Sequence, residues 1–206
     1  MPEQEPKKRG PIVFLASQTR AAQDARAALV ARYGEAPLAQ AGVIVALGGD
    51  GFMLETLHAT QTRDIPVYGM NRGTVGFLLN AFSLDELPQR LAAAQETFLH
   101  PLAMTATDAA GVEHEALAIN EVSLLALTAM SAFRPRRWRG ALLPKSAVVQ
   151  FDVLEPEKRP VMADADAQSV RNVVRVVIRS DPGVQHRLLF DPGHGLEERL
   201  IREQFY

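Results

Sequence analysis

Gly48-Gly49-Asp50-Gly51, at the end of the β-branched and aliphatic run Val43 to Leu47, is where this 206-residue chain most directly suggests chemistry. Three glycines within four positions let backbone N–H groups approach a phosphate closely. The helical pattern beginning at Phe52 would point its positive end at the same place. A carboxylate in such a turn repels phosphate directly. That leaves Asp50 two uses, to hold a magnesium ion or to accept the proton of an attacking hydroxyl. The alternative is a tight strand-to-helix turn in which Asp50 caps the helix.

A second glycine-spaced segment, Gly69-Met70-Asn71-Arg72-Gly73-Thr74-Val75-Gly76-Phe77-Leu78, follows the short run that begins at Val67. If both runs are parallel strands, both loops lie at the carboxyl edge of one sheet, where open α/β folds bind ligands. The third feature is Asn120-Glu121, flanked by Ala116 to Ile119 and by Val122 to Leu125. An adjacent amide and carboxylate inside an apolar run are costly unless hydrogen-bonded, and they suit a ribose hydroxyl or a base amine. An edge strand with one solvated turn would explain them equally.

The elements that must position these residues are read from periodicity. Ile12-Val13-Phe14-Leu15 predicts a buried strand, Thr19 to Tyr33 a surface helix stopped by Gly34, and Phe52 to Thr60 a second helix. Ser83 to Phe98 reads as a third, with Ser83 as N-cap and Glu86 at N3. Alternating strands and helices predict an α/β amino-terminal domain with a largely parallel sheet over residues 1–99. From Pro101 the runs become short and alternating, predicting a β-rich, β-sandwich-like domain over 100–190. Its candidate strands are Ala116 to Leu125, Ser146 to Leu154 and Val170 to Ile178, and its turns are Glu155 to Lys158 and Asp181 to Gly183. Residues 191–206 are expected to end in a short amphipathic helix carrying Leu196, Leu200 and Ile201.

Composition narrows the classes. A net charge of -2 gives no global basic field for nucleic acid or an acidic membrane, and a 47% hydrophobic content is enough for a substantial core. The absence of cysteine excludes disulfides, thiolate zinc sites and cysteine nucleophiles. Met1 to Gly10 reads as a charged tail without the apolar region of a signal peptide, and no apolar run is long enough to span a membrane, so a cytoplasmic protein is expected. Arg134 to Arg139, with Trp138, reads as a solvated basic loop. Asp164 and Asp166 read as a strand face or turn rather than metal ligands. The five histidines show no zinc-binding spacing.

Taken in order, Leu47 to Leu57, Pro66 to Leu79 and Ala118 to Leu125 resemble three successive signatures of the NAD kinases, the short bacterial type in particular. The similarity continues through Phe133 to Pro144 and the region from Arg159 to Val177. Gly-Gly-Asp-Gly alone also resembles loops of diacylglycerol and sphingosine kinases and of phosphofructokinases, so the second and third signatures carry the distinction. The resemblance implies that Asp50 is the general base for the adenosine ribose 2′-hydroxyl of NAD. It places Gly48, Gly49 and Gly51 against phosphates, counts Phe52 and Gly73 among the nucleotide-binding residues, and sets Asn71 and Phe77 near the pocket. Asn120 and Glu121 would bind NAD. ATP would be the phosphoryl donor, with Mg2+ or another divalent cation neutralising its charge. The resemblance also implies that the β-rich domain helps to bind NAD and forms a homo-oligomer, dimer or tetramer; the carboxyl-terminal helix is expected to pack on the first domain. Rival readings are a lipid kinase of the diacylglycerol type and a non-catalytic, degenerate nucleotide-binding relative.

The chain departs from that pattern at one place. The family continues through an Asp-Gly element and a Thr-Pro-x-Gly-Ser-Thr-Ala-Tyr-like segment that holds NAD. Here Leu124-Leu125 runs straight into Ala126-Leu127-Thr128, and no Thr-Ala-Tyr occurs. The resemblance thus implies that about fifty family residues have no counterpart after Leu125.

Overall fold

The structure is a computed structural model that describes residues 9–74, 76–119, 122–126 (backbone alone) and 143–195. Asn120 and Glu121, the arginine-rich run around Trp138, residues 1–8 of the tail and the closing helix expected beyond Gly195 lie outside the described residues. The elements in chain order begin with β1 (Ile12–Ala16), α1 (Arg20–Tyr33), β2 (Val43–Gly48), α2 (Asp50–Thr60), β3 (Val67–Asn71), α3 (Leu87–Ala93) and β4 (Gln95–Leu99). Next come β5 (Leu102–Asp108), β6 (Glu113–Ala118), β7 (Val122–Ala126) and β8 (Val148–Asp152). The series closes with β9 (Val161–Ala165), β10 (Gln168–Val170), β11 (Val173–Ser180) and β12 (His186–Phe190).

Two compact units result. One takes in the chain up to Leu99 and from Gln185 onward, the other His100–Val184. The first is built on a five-stranded sheet in the order β1-β2-β3-β12-β4. β1, β2, β3 and β12 run parallel, and β4 closes one edge antiparallel to β12. β2 is buried at every position, as expected of a central strand covered on both faces. Its alternate residues Val43, Val45 and Leu47 share a core with Leu29 of α1 and Leu87 and Leu91 of α3. On the opposite face, a Cβ added at Gly69 of β3 would lie 3.0 Å from the Met53 sulfur of α2, so helices flank both sides. Helix α1 starts where Thr19 Oγ1 accepts the Ala22 amide and ends at Gly34, whose φ of 73° lies in the left-handed region that glycine favours.

The second unit is antiparallel throughout. A four-stranded sheet, β6-β5-β11-β8, and a three-stranded sheet, β10-β9-β7, share a core rich in alanine, including Met104, Ala106, Ala118, Ala163 and Val176.

Four sequence expectations are corrected. The helix foreseen from Ser83 to Phe98 is confined to α3, and β4 takes Gln95–Leu99. Pro88 explains the late start, because proline is accommodated only in the first turn of a helix. Ser83 Oγ accepts the Asp85 amide instead of capping. The run Ala116 to Leu125 is two strands of different sheets, β6 and β7, with the Asn120-Glu121 pair between them. Val170 to Ile178 is likewise divided into β10 and β11, with Asn172 at φ 55° at the break. Finally, His186–Phe190, placed by the sequence in the β-rich domain, forms β12 inside the first sheet.

Candidate nucleotide site

Because β1, β2, β3 and β12 are parallel, the loops leaving them gather at one carboxyl edge. At the end of β2, a Cβ on Gly48 would come within 2.8 Å of the Phe52 Cβ, so glycine is required for Phe52 to lie across the strand end. Gly49 and Gly51 differ. A Cβ at either would meet nothing within 4 Å, and Gly49 has an ordinary extended backbone at φ -103° and ψ -178°. Nothing in the protein's own packing demands glycine at these two positions. The open space lies at the start of α2, whose first amides have no acceptor within the helix.

Asp50 is the first residue of α2, yet its carboxylate serves another loop. Oδ2 accepts the Phe77 amide at 2.6 Å and Oδ1 accepts the Leu78 amide at 2.9 Å. Gly49, not Asp50, is the N-cap, without a side-chain bond, so the alternative of a capping aspartate does not describe this site. One amide on each oxygen leaves each a further lone pair, and the half-buried group is oriented rather than free to rotate.

The second loop is held against the first. The Arg72 amide donates to the Gly48 carbonyl at 2.7 Å, and a Cβ on Gly73 would lie 3.6 Å from the Gly49 Cα. Asn71 Oδ1 accepts the Gly73 amide at 2.8 Å, so this oxygen shapes the loop itself. The Arg72 guanidinium lies 4.2 Å from the centroid of the Phe82 ring and donates Nε to the Ala21 carbonyl. Gly48, Gly49, Asp50, Gly51, Phe52, Asn71, Gly73 and Phe77 are thereby brought together. Asn120 and Glu121 fall outside the described residues.

Several residues escaped the sequence analysis. Asn80, beside β3 and β12, is 1% exposed. Asp191, just past β12, accepts the Tyr68 hydroxyl at 2.6 Å and Arg90 Nη2 at 2.5 Å. Burial, reinforced by the bond to Asp191, holds the Tyr68 phenol far above its ordinary pKa. The signal for Asn80 was present as a polar residue within Phe77-Leu78-Leu79-Asn80-Ala81-Phe82, the same kind of interruption that singled out Asn120 and Glu121. Of the two discounted aspartates, Asp166 accepts the Ile119 amide at 2.7 Å from a turn at φ 47°, and Asp164 of β9 accepts from Ser169. Among the described residues no three His, Asp or Glu side chains cluster to hold a metal, and no helix is long and apolar enough to cross a membrane.

A parallel sheet with flanking helices, two glycine loops touching at its carboxyl edge and a fixed carboxylate between them define a nucleotide-binding, phosphoryl-transferring class of site. The family model described as the ATP-NAD kinase N-terminal domain matches residues 14–98. An NAD kinase of Cereibacter sphaeroides is 53% identical over 248 aligned positions, which span 94% of this chain and 98% of the relative. The NAD kinases of Caulobacter vibrioides and Rhizobium meliloti are 45% and 42% identical, over 94% of this chain and 95% and 96% of their own. The chain belongs to the NAD kinase family. These matches give no support to a lipid acceptor or to a non-catalytic relative.

The alignment also exposes a gap. Since 94% of 206 residues is about 194, about fifty of the 248 aligned positions have no counterpart in this chain. Leu125 and Ala126, where the resemblance locates the missing segment, are consecutive residues of β7 paired without a break to Met162 and Val161 of β9.

Proposed function

We propose that this chain transfers the γ-phosphoryl group of ATP to the adenosine ribose 2′-hydroxyl of NAD, giving NADP and ADP. The observation that carries this reading, beside the family, is the Asp50 carboxylate held by the Phe77 and Leu78 amides at a glycine-lined sheet edge. The hydroxyl proton passes to Asp50 as the 2′-oxygen bonds to the γ-phosphorus and the bond from that phosphorus to the β,γ-bridging oxygen breaks, releasing ADP. Gly49 and Gly51 leave room for phosphate oxygens beside the first turn of α2. Phe52, Asn71, Gly73 and Phe77 form the adjoining nucleotide wall, and Asn120 and Glu121 bind NAD.

Magnesium fits as part of the substrate. It is ordinarily held by phosphate oxygens with one or two carboxylates. It supplies charge neutralisation on the phosphates. The antiparallel unit forms a sandwich that mediates homo-oligomerisation, a role supported by the exposed apolar side chains Val148 and Phe151 on its edge strand β8. The protein works in the cytoplasm.

The test is to incubate the protein with ATP–magnesium and either NAD or diacylglycerol. NADP should form while the lipid stays unmodified, and Asp50→Asn should lower kcat by about a hundredfold or more with ATP affinity little changed. The Asn side chain keeps one acceptor but turns an NH2 group toward one of the two amides, so a loss of about 1 kcal/mol in stability is expected as well. Phosphorylated lipid, or a fully active Asn variant, would overturn the assignment.

A further inference from the structure

The geometry points to Asn80 as the positioning residue for Asp50, an inference that rests on Asp50 being the base. Asn80 forms an isolated parallel bridge with Met70. Its main chain closes the second glycine loop at the base. The Asn80 amide donates to the Gly69 carbonyl at 2.8 Å, and its carbonyl accepts the Asn71 amide at 2.9 Å. Its side chain then joins two strands remote in sequence. Nδ2 donates to the Gly69 carbonyl of β3 at 3.0 Å and to the Leu189 carbonyl of β12 at 2.9 Å. Oδ1 accepts the Asp191 amide at 2.9 Å. β3 and β12 pair directly at Val67 and Leu188, and beyond that point the Asn80 carboxamide carries the connection.

This fixes the donors that hold Asp50. Leu78 and Phe77 lie two and three residues before the anchored Asn80, and Leu79, between Leu78 and Asn80, packs over Gly69 of β3, its Cδ2 filling the place a Gly69 Cβ would take. With Leu79 packed on β3, the two-residue link from Asn80 restricts the Leu78 amide while Asn80 stays seated. Asp191, the far partner of Asn80, is itself secured by Tyr68 and Arg90. The carboxamide therefore sets the orientation of the Asp50 carboxylate without touching either substrate. Loss of this group should impair the proton-accepting geometry more than the binding of ATP.

A double-mutant cycle tests this. Asn80→Ala should lower kcat for NADP formation by about tenfold or more with the KM for ATP within about twofold, and should remove less than about twofold further activity in an Asp50→Asn background. Amide exchange of Phe77 and Leu78, read by NMR, should accelerate selectively. If Asn80→Ala does not fold, Asn80→Ser, which keeps a single hydroxyl donor, replaces it in the same cycle. Losses that multiply in the cycle, unchanged kcat with a lowered Tm, or exchange raised evenly across the sheet would each overturn the proposal. Failure of the parent reading is seen separately, as activity retained by Asp50→Asn alone.

Discussion

Gly48 and Gly51 stand three positions apart and are glycine for different physical reasons. Gly48 has no room for a side chain, since Phe52 occupies the place of its Cβ. Gly51 has room, lies within helix α2 and is exposed. In a helix glycine is poorer than alanine by about 0.5–1 kcal/mol, so Gly51→Ala should raise the stability of the ligand-free protein by a comparable amount. If phosphate oxygens come against that backbone, the same methyl should weaken ATP–magnesium binding by about tenfold or more, and the thermal shift induced by the nucleotide should shrink while the ligand-free Tm rises. Gly48→Ala, by contrast, should lower the ligand-free Tm. A Gly51→Ala protein that keeps its full ATP-induced shift would remove Gly51 from the site. This split is a stricter test than activity alone, because folding and binding move in opposite directions.

At the scale of elements, β12 joins the sheet through its backbone ladder with β4, and charged side chains reinforce that pairing. Glu96 of β4 is central to this, with a side chain only 9% exposed. It accepts Arg9 Nη1 at 3.0 Å and also Arg187 Nε from the neighbouring β12. Burial pushes the Glu96 carboxyl up, but the hydrogen bonds and charges of Arg187 and Arg9 outweigh it and hold the group below its usual range. A depressed carboxylate contributes stability that is complete above the unfolded value of about 4.3 and is lost as pH falls through the folded value. Glu96→Gln should therefore cost about 2 kcal/mol at pH 7 and flatten the acid limb of stability against pH, as measured by urea unfolding. An unaltered acid limb would show that the cluster is only a surface ornament of the sheet edge. The same elements show what was legible in advance. Helix α1 was readable because Thr19 and Gly34, its cap and stop, are local. Strand β4 was not, because Gln95–Leu99 becomes a strand by pairing with β12, and only the halting effect of Pro88 was written locally. That Asp50 and both glycine loops share one sheet edge was legible from spacing, whereas the Asn80 network required knowing that Leu189, 109 residues away, would lie beside Gly69.

For the molecule as a whole, the decisive feature is the stretch of about fifty aligned positions that the relatives carry and this chain lacks. The resemblance locates it after Leu125, within a family segment that holds NAD, while the matched residues 14–98 contain both glycine loops. If those loops bind ATP, as proposed, that binding should not depend on the missing segment. Transfer should, because with Asp50 as the base the 2′-hydroxyl must be held in line with the γ-phosphorus and within its reach, and orientation of this kind contributes several kcal/mol of the about 7–11 kcal/mol available from proximity. The expected outcome is that the 206-residue protein binds ATP–magnesium normally but forms NADP slowly, with kcat/KM for NAD at least about a hundredfold below that of a protein given a family-like segment between Leu125 and Ala126. Calorimetric titration with ATP–magnesium and a coupled assay of NADP formation on the two proteins would measure both halves of the statement. Equal kcat/KM for NAD would show that the missing positions do not orient the acceptor, and loss of ATP binding in the shorter protein would show that the glycine loops need them too.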